Sequence, residues 1–165
     1  MSMIHEVAMK NKEPTPHPER LIALSGAFDV LHPGHTRMIR GALNFGKVVI
    51  ILNSDEWVQR NKGALVMPWA DRREVLLSVY GVDEVISVKD DDNTVCEALQ
   101  RRQPHVFGNG GSRVKKNTPE YALCHKLGIA CVWGLGGGEA DTYSNSVLDR
   151  VYSIQRPEQT QKKHG

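Results

Sequence analysis

His32-Pro33-Gly34-His35 is the group of residues in this chain best suited to chemistry. It follows an apolar run, Leu21-Ile22-Ala23-Leu24, and a turn, Ser25-Gly26-Ala27-Phe28-Asp29, and it precedes a helix-like stretch from Thr36 to Asn44. Strand, glycine turn and helix start, in that order, make an anion site. The first N–H groups of a helix lack intrahelical acceptors, and the positive end of its dipole points at the same spot. Pro33 suits a first helical turn, where its missing N–H costs nothing. Histidines three apart share a face on a helical turn. Two imidazoles beside an anion site point to phosphate chemistry. The same spacing also fits surface histidines or half of a metal site. A zinc site needs further ligands at ordered spacing, and Cys96, Cys124 and Cys131 form no C-x-x-C pair.

The elements that must position these residues are short. Apolar, β-branched runs predict strands at 21–24, 48–53, 84–88, 105–107 and 130–133, and helical patterns predict helices at 35–45, 71–80, 94–101, 118–127 and 144–154. Asp71, Thr94 and Thr118 are N-cap or first-turn residues in this reading, and Gly46 and Gly128 are C-caps. Strands alternating with helices predict one α/β domain: a Rossmann-like, doubly wound parallel sheet of about five strands with helices on both faces. Ligands in such sheets sit at the carboxyl ends of the strands, near the topological switch. The expected organisation is an irregular lead-in at 1–19, rich in alternating proline, a domain at 20–155 and a flexible tail at 156–165.

The chain has 165 residues, of which 40% are apolar and 24% charged, as in a globular domain with a core of its own. Its net charge of +2 is too small to imply a nucleic-acid or membrane partner. The longest apolar run, Val48 to Leu52, cannot span a bilayer, and no apolar leader opens the chain. Three unpatterned cysteines suggest a reducing compartment, with the cytoplasm as the default. Gly134-Leu135-Gly136-Gly137-Gly138-Glu139 invites a dinucleotide reading, but Glu139 stands where the last glycine of G-x-G-x-x-G belongs, so that reading is rejected. Trp57, Trp69 and Trp133 read as core or lid residues.

Gly26-Ala27-Phe28-Asp29-Val30-Leu31-His32-Pro33-Gly34-His35 closely resembles the G-x-F-D-x-x-H-x-G-H signature of the cytidylyltransferase-like nucleotidyltransferases. That family includes glycerol-3-phosphate cytidylyltransferase and heptose-phosphate adenylyltransferases. Asn53-Ser54-Asp55-Glu56 and Lys62 resemble its second-strand exit and basic loop. Trp69-Ala70-Asp71-Arg72-Arg73 and Val82-Asp83-Glu84-Val85 resemble its arginine-bearing helix and third strand. Pro104-His105-Val106-Phe107-Gly108-Asn109-Gly110-Gly111 resembles the fourth strand with its glycine exit. Tyr143-Ser144-Asn145-Ser146-Val147-Leu148 is a loose copy of the I-S-S/T-T-x-I segment. The resemblance spans 21–150.

It implies transfer of a nucleoside monophosphate from a triphosphate to a small phosphorylated acceptor, with release of pyrophosphate. The implied catalytic set is His32, His35, Lys62 in a closing loop, and Arg72 reaching the triphosphate or the acceptor. The implied nucleotide contacts are the backbone of Ala27 and Phe28, His32, His35, Gly110, Ser112, Ser144, Ser146 and Arg150. Asp29 reads as a brace for the turn. Ser112 stands where relatives often carry an aspartate, and Tyr143 and Asn145 depart from the last motif. CTP is the expected donor, on the likeness around Asn53-Ser54-Asp55-Glu56 and Val82-Asp83-Glu84-Val85. ATP is the alternative, on Asp92-Asn93-Thr94 and the stretch 103–111. A non-catalytic nucleotide-binding subunit is a further alternative. Magnesium is expected to arrive with the nucleotide, and the chain is expected to form a homodimer.

Overall fold

The computed structural model describes residues 19–110 and 118–137. The expected helix at 144–154, the tail and almost all of the lead-in lie outside them, as do Ser112, Ser144, Ser146 and Arg150. The described elements are β1 (Leu21–Gly26), α1 (Pro33–Ala42), β2 (Lys47–Leu52), α2 (Asp55–Lys62), α3 (Trp69–Leu77), β3 (Val82–Ile86), α4 (Cys96–Arg102), β4 (Val106–Gly110), α5 (Pro119–Leu127) and β5 (Ala130–Leu135). The strands form one sheet in the order β3-β2-β1-β4-β5, and every neighbouring pair is parallel. This is the expected doubly wound α/β fold. None of the described helices is long and apolar enough to cross a membrane.

Alternation along the strands divides the core into two layers. Ile22, Leu24, Ile50 and Leu52 meet Met38 and Ile39 of α1 and Leu76 of α3 on one face. Ala23, Ile51 and Phe107 meet Ala98 and Leu99 of α4 and Cys124 of α5 on the other. β2 is apolar on both sides because both of its faces are covered, as a central parallel strand requires.

The differences from the sequence expectation have identifiable causes. α2 falls in a stretch read as a loop. Only Val58 of this helix is buried, so it lacks the apolar periodicity that marks a helix. Its termini are nonetheless marked. The Ser54 side chain accepts from the Trp57 N–H, Asp55 and Glu56 open the helix, Arg60 and Lys62 close it, and Gly63 ends it in the left-handed region. Gly46 is not the C-cap of α1; Leu43 is, and Gly46 leaves room for the backbone of Arg20. Thr118 and Gly128 cap α5 as expected.

The sheet splits where the chain reverses direction. β1 and β4 pair only as far as Leu24↔Gly108. β1 then stays with β2 through Gly26↔Leu52, and β4 stays with β5 through Gly110↔Leu135. A crevice therefore opens between the carboxyl ends of the two central strands, at the switch point. The glycine run after β5 closes down on α1: a Cβ on Gly136 would lie 2.8 Å from the Met38 backbone nitrogen.

Gly63 and Gly136 both have positive φ, but only Gly136 has backbone in the way of a side chain. Gly63→Ala is expected to cost about 1 kcal/mol for the left-handed conformation alone. Gly136→Ala is expected to cost at least twice that. Urea denaturation of both variants measures the difference, and equal losses would contradict the packing of this turn on α1.

Candidate active site

α1 begins with a capping box built from two histidines. His32 is the N-cap, in extended backbone, and its Nδ1 accepts from the Gly34 N–H at 3.1 Å. His35 occupies the third helical position, and its Nδ1 accepts from the His32 N–H at 3.3 Å. Such boxes are ordinarily made by Ser or Thr with Glu or Gln. A ring that accepts at Nδ1 is neutral and carries its proton on Nε2. The box therefore sets the tautomer of both histidines and makes each Nε2–H a donor.

The surroundings favour the same neutral state. The two rings stack, with centroids 3.7 Å apart and planes 24° from parallel, so a charge on either opposes a charge on the other. Burial first, then His32 and then the Lys62 ammonium push the His35 pKa down to about 3. Burial lowers that of His32. Desolvation is the first cause for both rings. The Lys62 effect on His35 also places that ammonium near the site. Lys62 ends α2 and does not lie in a loop.

Phe28 forms the other wall. Its backbone is left-handed, at φ 47°, which is costly for a large L-residue. The ring is buried and lies 4.7 Å from the His35 ring, tilted by 47°. Gly26 makes room, since a Cβ there would come within 3.1 Å of the Phe28 ring. Gly110, at the end of β4, lets Met38 of α1 lie against the strand. Its missing side chain serves packing.

Arg72 is not used as expected. It is fully buried, with no exposed surface. Its Nε donates to the Met67 carbonyl at 2.9 Å, Nη1 to the Ala27 and Asn53 carbonyls at 2.7 and 3.0 Å, and Nη2 to Asp55 Oδ1 at 2.6 Å. Four of the five guanidinium N–H groups are thus committed to the exits of β1 and β2 and to the loop before α3. Here it acts as a strut behind the signature loop. Asp29 works from the other side: its carboxylate accepts from the Val66 and Met67 N–H groups at 2.7 and 2.8 Å. The brace expected of Asp29 is present, and it holds the α2–α3 loop.

Sequence reasoning missed Asp90. It is buried at the exit of β3, and its carboxylate accepts from Asn53 Nδ2 at 3.0 Å, the Ser54 N–H at 2.9 Å and Ser54 Oγ at 2.6 Å. No local pattern marks it, because its partners lie 36 and 37 residues away.

The model of the cytidylyltransferase-like family matches residues 23–127, which include the whole signature loop. The chain belongs to this family. It is 34% identical over 123 residues to the bifunctional protein HldE of Methylococcus capsulatus and 37% identical over 111 residues to HldE of Streptomyces coelicolor. These alignments cover 72% and 66% of this chain but 24% of each HldE protein, so the chain matches about a quarter of their length. The lipopolysaccharide core biosynthesis protein of Thermoplasma volcanium has the same fold, with a TM-score of 0.57 at 19% identity, over 69% of this chain and 94% of its own. In this chain the two histidines of the G-x-F-D-x-x-H-x-G-H signature form the capping box of α1.

Two expected outcomes separate strut from site. Arg72→Lys leaves buried carbonyls short of donors, and leaving a buried polar group unsatisfied costs about 1–3 kcal/mol. Chemical denaturation checks this, and a loss under about 1 kcal/mol would mean that Arg72 is not structural. His35→Gln keeps a side-chain acceptor at the third helical position but removes the Nε2–H donor. Turnover is expected to fall ~10²–10³-fold with the melting temperature nearly unchanged. The acid response follows from the same site. Unfolded His35 binds its proton near pH 6.5 and folded His35 near pH 3, so between those values the unfolded state holds more protons and stability falls as pH falls. Melting curves should decline less steeply below pH 6.5 for His35→Gln than for the native chain. Parallel declines would contradict a neutral His35.

Proposed function

We propose that this chain transfers a nucleoside monophosphate to a small phosphorylated acceptor, a sugar or polyol phosphate. A phosphate oxygen of the acceptor attacks the α-phosphorus of the triphosphate. The new O–P bond forms as the bond to the β-phosphate oxygen breaks, and pyrophosphate leaves with that electron pair. A phosphate monoester has its second pKa near ~6 and is already largely dianionic at neutral pH, so no general base is needed. The task is to align anions that repel one another and to stabilise charge on the phosphorus and the leaving group.

The observation that carries this reading is the neutral histidine pair at the start of α1. Two Nε2–H donors are pre-set by the capping box at the positive end of α1, and the Lys62 charge stands close by. They add hydrogen bonds to the phosphates without adding a proton that could be lost. Magnesium enters as part of the substrate, shielding the β- and γ-phosphates. Ser144, Ser146 and Arg150 are proposed to hold those phosphates, and Ser112 the nucleotide.

We propose ATP as the donor, with CTP as the alternative. The residues that favoured CTP do architectural work. Asn53 and Ser54 are bound to Asp90, Asp55 to Arg72, and Val82-Asp83-Glu84-Val85 lie in β3 at the far edge of the sheet. The likeness of Asp92-Asn93-Thr94 and of 103–111 to heptose-phosphate adenylyltransferases, together with the similarity to HldE proteins, favours ATP.

Pyrophosphate release measured with ATP and with CTP, against a panel of sugar and polyol phosphates, tests the reading. Release with ATP and one sugar phosphate is expected. Release with CTP alone would reverse the order of the donors. Binding of nucleotide without turnover on any acceptor would favour a non-catalytic subunit.

A further inference from the structure

Asn109 stands beside the split between β1 and β4. It is the next residue after Gly108, where the β1–β4 pairing ends. On its other side β5 is irregular: Gly108 pairs with Val132 and Gly110 with Leu135, so two residues of β5, Trp133 and Gly134, stand opposite Asn109. Gly134 takes positive φ in this bulge. Bulges of this kind re-aim side chains beside functional sites.

The side chain faces away from α1. Cβ atoms built on Gly108 and Gly110 point to Ile22, Leu24, Met38 and Leu135, on the α1 side. Alternation then turns Asn109 to the α4 and α5 side. Among the described residues its Nδ2 is buried and has no hydrogen-bond partner. Each specific orphan of this kind calls for an explanation, because a buried donor without an acceptor is destabilising. An amide at the rim of a substrate crevice finds its acceptor when the crevice fills.

We infer that Asn109 donates a hydrogen bond from Nδ2 to a neutral oxygen of the nucleoside, a ribose hydroxyl or a base carbonyl. The inference rests on the nucleotidyl-transfer reading above. The phosphates belong at the start of α1, on one side of the crevice. Asn109 is on the opposite side, so a nucleotide lying across the split brings its nucleoside end to this residue. A neutral amide suits a neutral oxygen; the phosphates have the helix dipole, the imidazoles and Lys62.

The test compares the native chain with Asn109→Leu and Asn109→Ala. Calorimetric titration uses ATP, CTP, their 2′-deoxy forms and inorganic tripolyphosphate. A neutral hydrogen bond is worth roughly a three- to tenfold change in affinity. Both variants are expected to bind the preferred triphosphate more weakly by that factor and to bind tripolyphosphate as before. Asn109→Leu is expected to melt no lower than the native chain, because it removes the unpaired donor. Equal loss with the 2′-deoxy form of the native chain, and no further loss in the variants, assigns the bond to the ribose 2′-hydroxyl. Undiminished dependence on Asn109 with the deoxy form assigns it to another nucleoside oxygen. Native-like triphosphate affinity in both variants would overturn the inference alone. So would an equal loss of tripolyphosphate binding with lowered melting in both, which marks a structural role. A native chain that binds neither ATP nor CTP would overturn the function reading and this inference with it.

Discussion

The signature loop depends on one buried cation. Arg72 reaches from α3 beneath the signature turn and holds three carbonyls from three different connections, together with the Asp55 carboxylate. Asp29 takes the matching N–H groups on the other side, so the backbone of Met67 is held at its carbonyl by Arg72 and at its N–H by Asp29. A fully buried guanidinium is costly unless its donors are satisfied. Here the acceptors are mainly backbone carbonyls that would themselves be orphaned at strand exits. Planar, forked geometry is what allows one side chain to serve them all; an ammonium has three donors at a point. The turn carrying Phe28 in a left-handed conformation persists because its surroundings are held this firmly.

A site for highly charged substrates ordinarily relies on permanent cations. This one begins with neutral groups. The capping box uses the acceptor nitrogen of each imidazole, and protonation would destroy the box along with the N-cap of α1. The proposed donor role and helix stability therefore require the same protonation state. Desolvation enforces it for both rings, and Lys62 reinforces it for His35. The ammonium thus keeps the adjacent imidazole a neutral donor, and in the proposed reading it also attracts the phosphates.

Much of this was legible in the residue pattern. Buried β-branched runs exposed the strands, and Pro33, Thr118 and Gly128 marked helix ends that the structure retains. The signature placed both histidines at one spot. Other features were hidden for physical reasons. α2 carries its helical signal in caps and charges because it has one buried residue. Arg72 sits in a polar stretch with Asp71 and Arg73, so nothing nearby signals that its side chain is fully buried. Asp90 and Asn109 are defined by what the sheet topology brings to them. A polar residue at the end of a strand reads alike in sequence whether it is solvated, paired across the sheet or waiting for a ligand.

The two halves of the crevice are built on different terms. On the α1 side, the polar groups are paired before any ligand arrives: His32 and His35 cap the helix, Arg72 and Asp29 brace the loop, and glycines at 110 and 136 let β4 and the turn after β5 close onto α1. That half can present fixed donors to phosphate with little reorganisation, which is what stabilising charge in a transition state requires. On the α4 and α5 side, Asn109 keeps a buried donor unpaired beside a bulge in β5. A residue that is satisfied only when a nucleoside is present adds to binding and to selection among nucleosides, while the phosphate half is common to every triphosphate. In the proposed reading the split between β1 and β4 divides the labour: chemistry is placed where the structure is self-satisfied, and discrimination where it is incomplete.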